Sequence, residues 1–513
     1  MILHLNPKFF KSAIHIFAGL IIISLCCAIT FPAQKNATNY KDDYYKDKQG
    51  KALSDSLDVL LKRIKQSFGA TDINLTLGII KDGKVFLKKN YGYSNPETKT
   101  PFSNQTQIYI ASTSKSLTGT LAAVLDQKGI IKLDKTLADY LPELVFEDKN
   151  IHPDKITIQS LMTHTHGIKN NDVVVLTAFI GHKGSSQIIG LLKKYSTALP
   201  NQNFSYSNLG PVIYSIIVEK QTDKPWQQVM DEYLFSSLAM NSTTAYFSKV
   251  NPQYASYVID GSEGSITSIL DKADNSMSAA GGHFSTTSDL LKYLNFFISE
   301  GNSVKGVLNK QAIDFATSAI VPQQNRYQSY ERYGYGLGWE QALFNGERLT
   351  SRMGGYSGIS CHLSYIKDKK IGIVVFGNKK GMEALPHLVA NYLYNTLLNK
   401  TNKNTILEEN LKSLRKNFDS DLEETKEVTE AKQAKITINK VLTGIYDGGE
   451  KSGSMEIGPE GNIMWGNLKG QLHLTSDSTG LINFKTMLRS FSVKRQKNGL
   501  IEGVYSNERY FKR

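Results

Sequence analysis

Cysteine is almost missing from this chain of 513 residues: there are three, and Cys26 and Cys27 both fall in an apolar N-terminal run. Only Cys361 is left for the body, which excludes an intramolecular disulfide there and makes the fold depend on its hydrophobic core. Cys361 carries no local signature of an activated thiol, so a small buried residue is its expected role. No block of like charge stands out either. Lys and Arg number 60 against 47 Asp and Glu, a formal net charge of +13, but the lysines are scattered and no nucleic-acid motif accompanies them. The excess is read as solvated surface, and no nucleic-acid partner is expected. His164 and His166 alternate, yet no carboxylate or further histidine stands at ligand spacing. A structural hydrogen-bonding role therefore outweighs zinc, and neither metal nor cofactor is expected.

What is present is the composition of a globular protein, 40% hydrophobic and 21% charged, which excludes wholesale disorder and a multi-span membrane protein. The length suggests two or three domains. Lys8 and Lys11 precede an apolar run from Ala13 to Phe31, followed at once by a polar Lys- and Asp-rich stretch. This pattern marks export, to the periplasm or the extracellular space. The run is longer than the ~7 to 15 residues of a cleaved signal and near the ~20 needed to span a bilayer. Residues 1–33 are accordingly a signal peptide or a membrane anchor over 13–31, the chain's one expected contact with a membrane, and 34–51 a polar linker.

From Ala52 to Phe68, Leu53, Leu57, Leu60, Leu61 and Ile64 recur at three and four, the signature of one helical face. Leu75, Leu77 and Ile79 then alternate, the chain turns at Asp82-Gly83, and Val85 to Leu87 return, a hairpin pattern. Residues from about Ser112 to Asn302 read as mainly helical with long loops. A second hairpin pattern spans His362 to Ile366 and Ile371 to Phe376, and Ala384 to Leu398 is an amphipathic helix. Helix and strands at the start must meet strands and helix at the end. The economical fold is α+β: an antiparallel sheet flanked by its terminal helices, with a helical region inserted in the middle. That domain occupies 52–400. Residues 401–437 read as a charged, partly helical linker, and seven short Gly-punctuated strands between Leu442 and Tyr505 predict a small C-terminal all-β barrel or sandwich over 438–513.

A serine hydroxyl needs a nearby base to act as a nucleophile at neutral pH, and a Lys three positions later on a helix supplies one on the same face. Ser112-Thr113-Ser114-Lys115 has this spacing, where free backbone amides at a helix start favour developing negative charge. Ser364 with Lys367 and Ser413 with Lys416 match the same bare spacing and are read as chance. Tyr206-Ser207-Asn208, in a loop entering a helix, supplies a phenol that a cationic Lys115 can make acidic, and an amide able to hold Lys115 or a substrate. Tyr293-Leu294-Asn295 also fits that second pattern but sits within a helical periodicity.

The stretches Tyr109 to Gly119, Lys132 to Leu144, Ile156 to Gly167, Phe204 to Gly210, Ser278 to Leu291 and Tyr335 to Trp339 resemble, in order, the blocks of class C β-lactamase-like serine hydrolases, which are related to the penicillin-binding proteins. That family includes β-lactamases, D-amino-acid peptidases acting on cell-wall peptides, and esterases. The resemblance implies Ser112 as the acylated nucleophile, Lys115 as its base partner, Tyr206 as a proton shuttle and Asn208 as a substrate or lysine contact. The family's third block, Lys or His, any residue, then Gly, is here Arg352-Met353-Gly354. Arg352 keeps a positive charge for a substrate carboxylate but does not exchange protons near neutrality. Gly354 belongs to the same substrate-facing strand, and the backbone N–H groups of Ser112 and Gly355 are expected to form the oxyanion hole. A further departure is His166, where the family has Ser. The expected activity is hydrolysis of an amide, ester or β-lactam in a small molecule or peptide, with D-amino-acid peptidase or esterase favoured. The rival expectation is a non-catalytic envelope protein that binds peptide or cell-wall material.

Overall fold

The computed structural model describes residues 42–69, 72–261, 264–268, 270–433, 441–485 and 487–513. The expected signal or anchor lies outside them. Among the described residues no helix is long and apolar enough to cross a membrane.

The fold is α+β, built on a nine-stranded antiparallel sheet. Its order is Tyr44–Tyr45, Lys84–Tyr91, Leu75–Lys81, Ile371–Gly377, Ile359–Ile366, Glu347–Tyr356, Glu340–Phe344, Tyr330–Tyr335 and Val321–Tyr327. The first hairpin pattern of the sequence thus pairs with the second, Leu77 opposite Val375. Alternation along the strands sorts the core. Leu75, Leu77, Ile79, Ile373 and Val375 lie among Leu57, Leu60 and Ile64 of helix Lys48–Ser67 and Leu388, Val389 and Leu393 of helix Leu385–Leu397. Leu363, Val374 and Phe376 point the other way, among Leu290, Leu291 and Leu294 of helix Thr287–Ile298, the inner wall of the inserted helical region. Each such fully buried side chain contributes about 1.5–3 kcal/mol of burial, so a one-residue slip in register would reverse both faces at once.

Residues 42–513 form one compact unit that includes the C-terminal strands. These close into an eight-stranded barrel around Tyr446, Trp465, Phe484 and Phe511. The eighth strand, Arg509–Lys512, is absent from the sequence expectation; its Lys512 pairs with Asp447 of the first strand and shuts the barrel. The charged stretch before the barrel is one helix, Lys403–Gln433, anchored by Leu414 and by Phe418, whose ring meets Phe68 edge-on at 5.4 Å. The barrel docks on the helical region through Arg509 to Asp172 at 2.7 Å and through Asn467, whose N–H donates to the Ile180 carbonyl at 2.8 Å. It also reaches the rim of the cleft, where the Ser357 hydroxyl donates to the Lys485 carbonyl at 3.1 Å.

Candidate active site

The segment carrying Ser112 leaves strand Ile108–Tyr109, makes a 3-10 turn over Ala111–Thr113, and enters helix Ser114–Gln127. Ser112 therefore precedes the α-helix by one turn and Lys115 sits in its first turn, so the motif's three-residue spacing still stacks the two side chains. Ala111 holds a positive φ of 45°, a conformation costing a non-glycine residue about 1–3 kcal/mol and found where surrounding structure fixes a functional side chain. Two glycines let that surround close in. A Cβ at Gly119 would lie 2.0 Å from the Leu337 carbonyl oxygen, and one at Gly354 2.0 Å from that of Ile110.

Four side chains from three segments of the chain gather around Ser112. The Tyr206 hydroxyl donates to Ser112 Oγ at 2.9 Å, and Lys115 Nζ lies 3.2 Å from the same oxygen. Lys115 also donates to Asn208 Oδ1 at 2.6 Å and to the Ala280 carbonyl at 2.8 Å, so all three of its protons are directed. Arg352 comes from the opposite wall. Its Nε donates to the Ser112 carbonyl at 2.9 Å, Nη2 to the Tyr206 hydroxyl, and Nη1 to the Tyr335 hydroxyl at 3.2 Å, with Glu340 Oε1 3.4 Å away.

These neighbours set the protonation of the site. Burial drives Lys115 from its ordinary 10.5 down to about 8, the Arg352 charge acts in the same direction, and Tyr206 opposes both. For Tyr206, burial alone would raise the pKa, but the charges of Arg352 and Lys115 outweigh it and hold the phenol below its usual value. Tyr206 as a residue is 45% exposed, while its hydroxyl is held by Arg352 beside Ser112. The arrangement can take a proton from Ser112 onto nitrogen or phenolate and return it to a departing group.

Gly354, Gly355, Ser112, Tyr206 and Arg352 line one cavity of about 460 Å³. Sheet pairing along Glu347–Tyr356 ends on one side at Ser351, opposite Glu340, so residues 352–356 run along the cavity as a free edge. Sequence reasoning did not find the hold of Tyr335 and Glu340 on Arg352. His164, expected to have a structural hydrogen-bonding role, has its Nε2 3.0 Å from the Tyr335 hydroxyl and its ring 4.7 Å from that of Tyr206, and its Nδ1 accepts the Ser207 N–H at 3.3 Å. His164 is neutral, burial pushing it well below its ordinary value, and His166 Nδ1 accepts the Ile168 N–H at 3.1 Å. Both histidines hold loop backbone. Of the chance matches, Ser364 bonds His362 and Tyr394 inside the sheet, and Ser413 lies on helix Lys403–Gln433.

Residues 71–393 match the Beta-lactamase family profile. Among curated proteins, Protein flp of Staphylococcus aureus (strain MW2) is 24% identical over 334 residues; the match covers 64% of this chain and 64% of that protein, less than two thirds of its length. The octameric penicillin-binding protein homologue from Pyrococcus abyssi superposes with a TM-score of 0.58 at 20% identity, covering 90% of this chain and 100% of that one. The D-amino acid amidase of Ochrobactrum anthropi SV3 gives 0.54 at 19% identity, covering 65% and 92%. At these identities the structures show a shared fold. Since the profile covers well over half of the sequence, a span that contains Ser112, Lys115 and Tyr206, the chain belongs to the Beta-lactamase family.

Proposed function

We propose that the protein is a serine hydrolase working through an acyl-enzyme on Ser112. The observation that carries this reading is the 2.9 Å contact of Tyr206 and the 3.2 Å contact of Lys115 with the same serine oxygen. Neutral Lys115, acting directly or through the Tyr206 phenolate, takes the Ser112 proton as Oγ attacks the substrate carbonyl. The tetrahedral anion is held by the Ser112 and Gly355 backbone N–H groups. The same proton passes to the leaving nitrogen or oxygen, the ester forms, and water then releases the acid and restores Ser112. Arg352 stabilises negative charge on Tyr206 at every stage.

The substrates we favour are D-amino-acid peptides or amides, or esters, ahead of β-lactams. The free edge at 352–356 suits an extended peptide laid beside Ser112. Residues 52–400 constitute the hydrolase domain in this reading and 438–513 an appended β-domain, joined through 401–437. The lysine-flanked apolar run at 13–31 supports action outside the cytoplasm, a point that cell fractionation would test.

Intact-mass spectrometry tests the chemistry, with wild type beside Ser112→Ala after exposure to a penicillin and to a small activated ester. An adduct on wild type alone is expected. No adduct with either compound would favour the binding-protein reading, for which Arg352 in place of Lys or His is the motivating departure.

A further inference from the structure

The cavity does not end at Ser112. It turns round the free edge of strand Glu347–Tyr356 and continues onto the sheet face covered by the terminal helices, where Ser360, His362, Glu340, Arg332 and His387 line it. His362 belongs to that face because it alternates with Cys361 and Leu363, which point into the other core, and His387 stands on helix Leu385–Leu397. Ser360, His362, Glu340 and His387 are all more than nine-tenths buried. Yet Ser360 Oγ, His362 Nδ1, both ring nitrogens of His387, Glu340 Oε2 and Arg332 Nε have no hydrogen-bond partner among the described residues. So many unsatisfied polar atoms around one buried space are unusual for a structural core, where nearly all such groups are paired.

The set of atoms selects a kind of occupant. The charges balance internally: the guanidinium groups of Arg352 and Arg332 stand against the carboxylates of Glu340 and Glu383, with Glu340 Oε1 3.4 Å from Arg352 and 3.5 Å from Arg332 and Glu383 Oε1 accepting the Gly358 N–H at 3.2 Å. An anionic group would meet the Glu340 and Glu383 carboxylates, and an ammonium group would meet two guanidinium ions; each is disfavoured by like charge in a poorly solvated space. What remains on offer is a mixture of donors and acceptors with no net charge: a hydroxyl, imidazole nitrogens, a guanidinium N–H and a carboxylate oxygen. A primary carboxamide or a peptide unit, with donors at one end and an acceptor at the other, satisfies such a set without bringing charge.

We infer that this chamber is a substrate subsite for a neutral carboxamide or peptide group, carried by the molecule whose carbonyl Ser112 attacks. The inference rests on the hydrolase reading above for its reaction and on the unpartnered atoms for its ligand. A flexible chain of a few atoms would join the two ends, leading from the scissile carbonyl past Arg352 into the chamber.

Two series of esters test it with the full chain. On the acyl side they are p-nitrophenyl glutaramate, its alkyl isostere p-nitrophenyl 5-methylhexanoate, and the p-nitrophenyl monoester of glutaric acid. On the leaving side they are phenylacetate esters of 4-hydroxybutanamide, 4-methylpentan-1-ol and 4-hydroxybutanoate. In one series kcat/KM for the carboxamide end should exceed both others by about tenfold or more, as for sites built to pair with a substrate amide. Affinity of Ser112→Ala for the same esters, measured by calorimetry, should rank them alike. The ratio of carboxamide to alkyl should collapse in His387→Phe, which keeps ring volume without ring nitrogens, and in Ser360→Ala, the milder change if the first fails to fold. Equal rates and affinities for the three ends in both series, or preference for the carboxylate end, would overturn the inference while leaving the hydrolase intact. Selective binding without turnover would overturn the hydrolase reading and keep the chamber.

Discussion

Two sides of strand Glu347–Tyr356 differ in how they treat buried polar groups. On the Ser112 side, Lys115 and Arg352 are both cations taken out of water, and each is held by several oxygen partners. Round the edge, Ser360, His362 and His387 are as deeply buried and have idle nitrogens and oxygens. Burial alone therefore says little about purpose. A site that must meet charge arising during a reaction has its donors fixed beforehand, whereas one that meets a whole neutral group leaves them open.

The strongest way to break this comparison is Ser112→Ala. It should abolish covalent labelling and lower kcat by about 10⁴-fold or more, since the nucleophile's loss disables the whole ensemble; intact mass and ester hydrolysis check it. Lys115→Met should cost about 10²- to 10⁴-fold in kcat/KM, the range for a lost general base. Its thermal midpoint near pH 7 should be unchanged or raised, because a buried cation is exchanged for an apolar chain of like length. A midpoint lowered by many degrees would instead make Lys115 a structural strut.

The same lysine sharpens the contrast through pH. Only its neutral form accepts a proton, so activity should climb as pH rises through about 8, and that limb should vanish in Lys115→Met. The stability sign follows separately. Folding lowers the pKa from 10.5 to about 8, so between these values the unfolded chain holds the extra proton and wild-type stability rises with pH. The stability advantage of Lys115→Met should therefore shrink between about pH 8 and 10, as paired melting curves would show.

Smaller effects test the surroundings. Arg352→Lys restores the family's residue type but cannot span Ser112, Tyr206 and Tyr335 at once; losing one or two charged hydrogen bonds predicts a fall in kcat/KM of about 10- to 100-fold. Asp172→Asn weakens the partly exposed pair with Arg509 at the barrel's docking surface. It should cost about 1 kcal/mol or less and leave kcat/KM unchanged, and a large kinetic effect would show that barrel docking reaches the cleft through Ser357.

Much of this was legible in the sequence, for identifiable reasons. The helical face of Leu53 to Ile64, both hairpins and the Ser112–Lys115 pair follow from local spacing, which chain geometry translates directly, whereas Tyr206 and Asn208, far along the chain, were tied to them only by the family resemblance. The partners of Arg352 were not legible, because Tyr335 and Glu340 reach it only through the pairing of three strands. Phe418 was missed as an anchor since the apolar repeat of its helix fades among charges, and its partner Phe68 lies at the far end of the domain sequence. The eighth barrel strand escaped because Arg509–Lys512 offers two aromatics between basic residues, a pattern that means strand only once a barrel needs closing. The chamber was illegible throughout: Ser360, His362 and His387 form no motif, and their unsatisfied state exists only in three dimensions.

Gly119 and Gly354 carry a consequence for how this protein can change over generations. Backbone oxygen stands 2.0 Å from where either side chain would begin, so neither position has room to explore alternatives. In a mutational scan both would score as intolerant as Ser112 itself, although neither takes or gives a proton. Invariance around this cleft would thus mix chemistry with mere clearance, and adaptation to new substrates is channelled toward positions that can vary, such as those around the chamber.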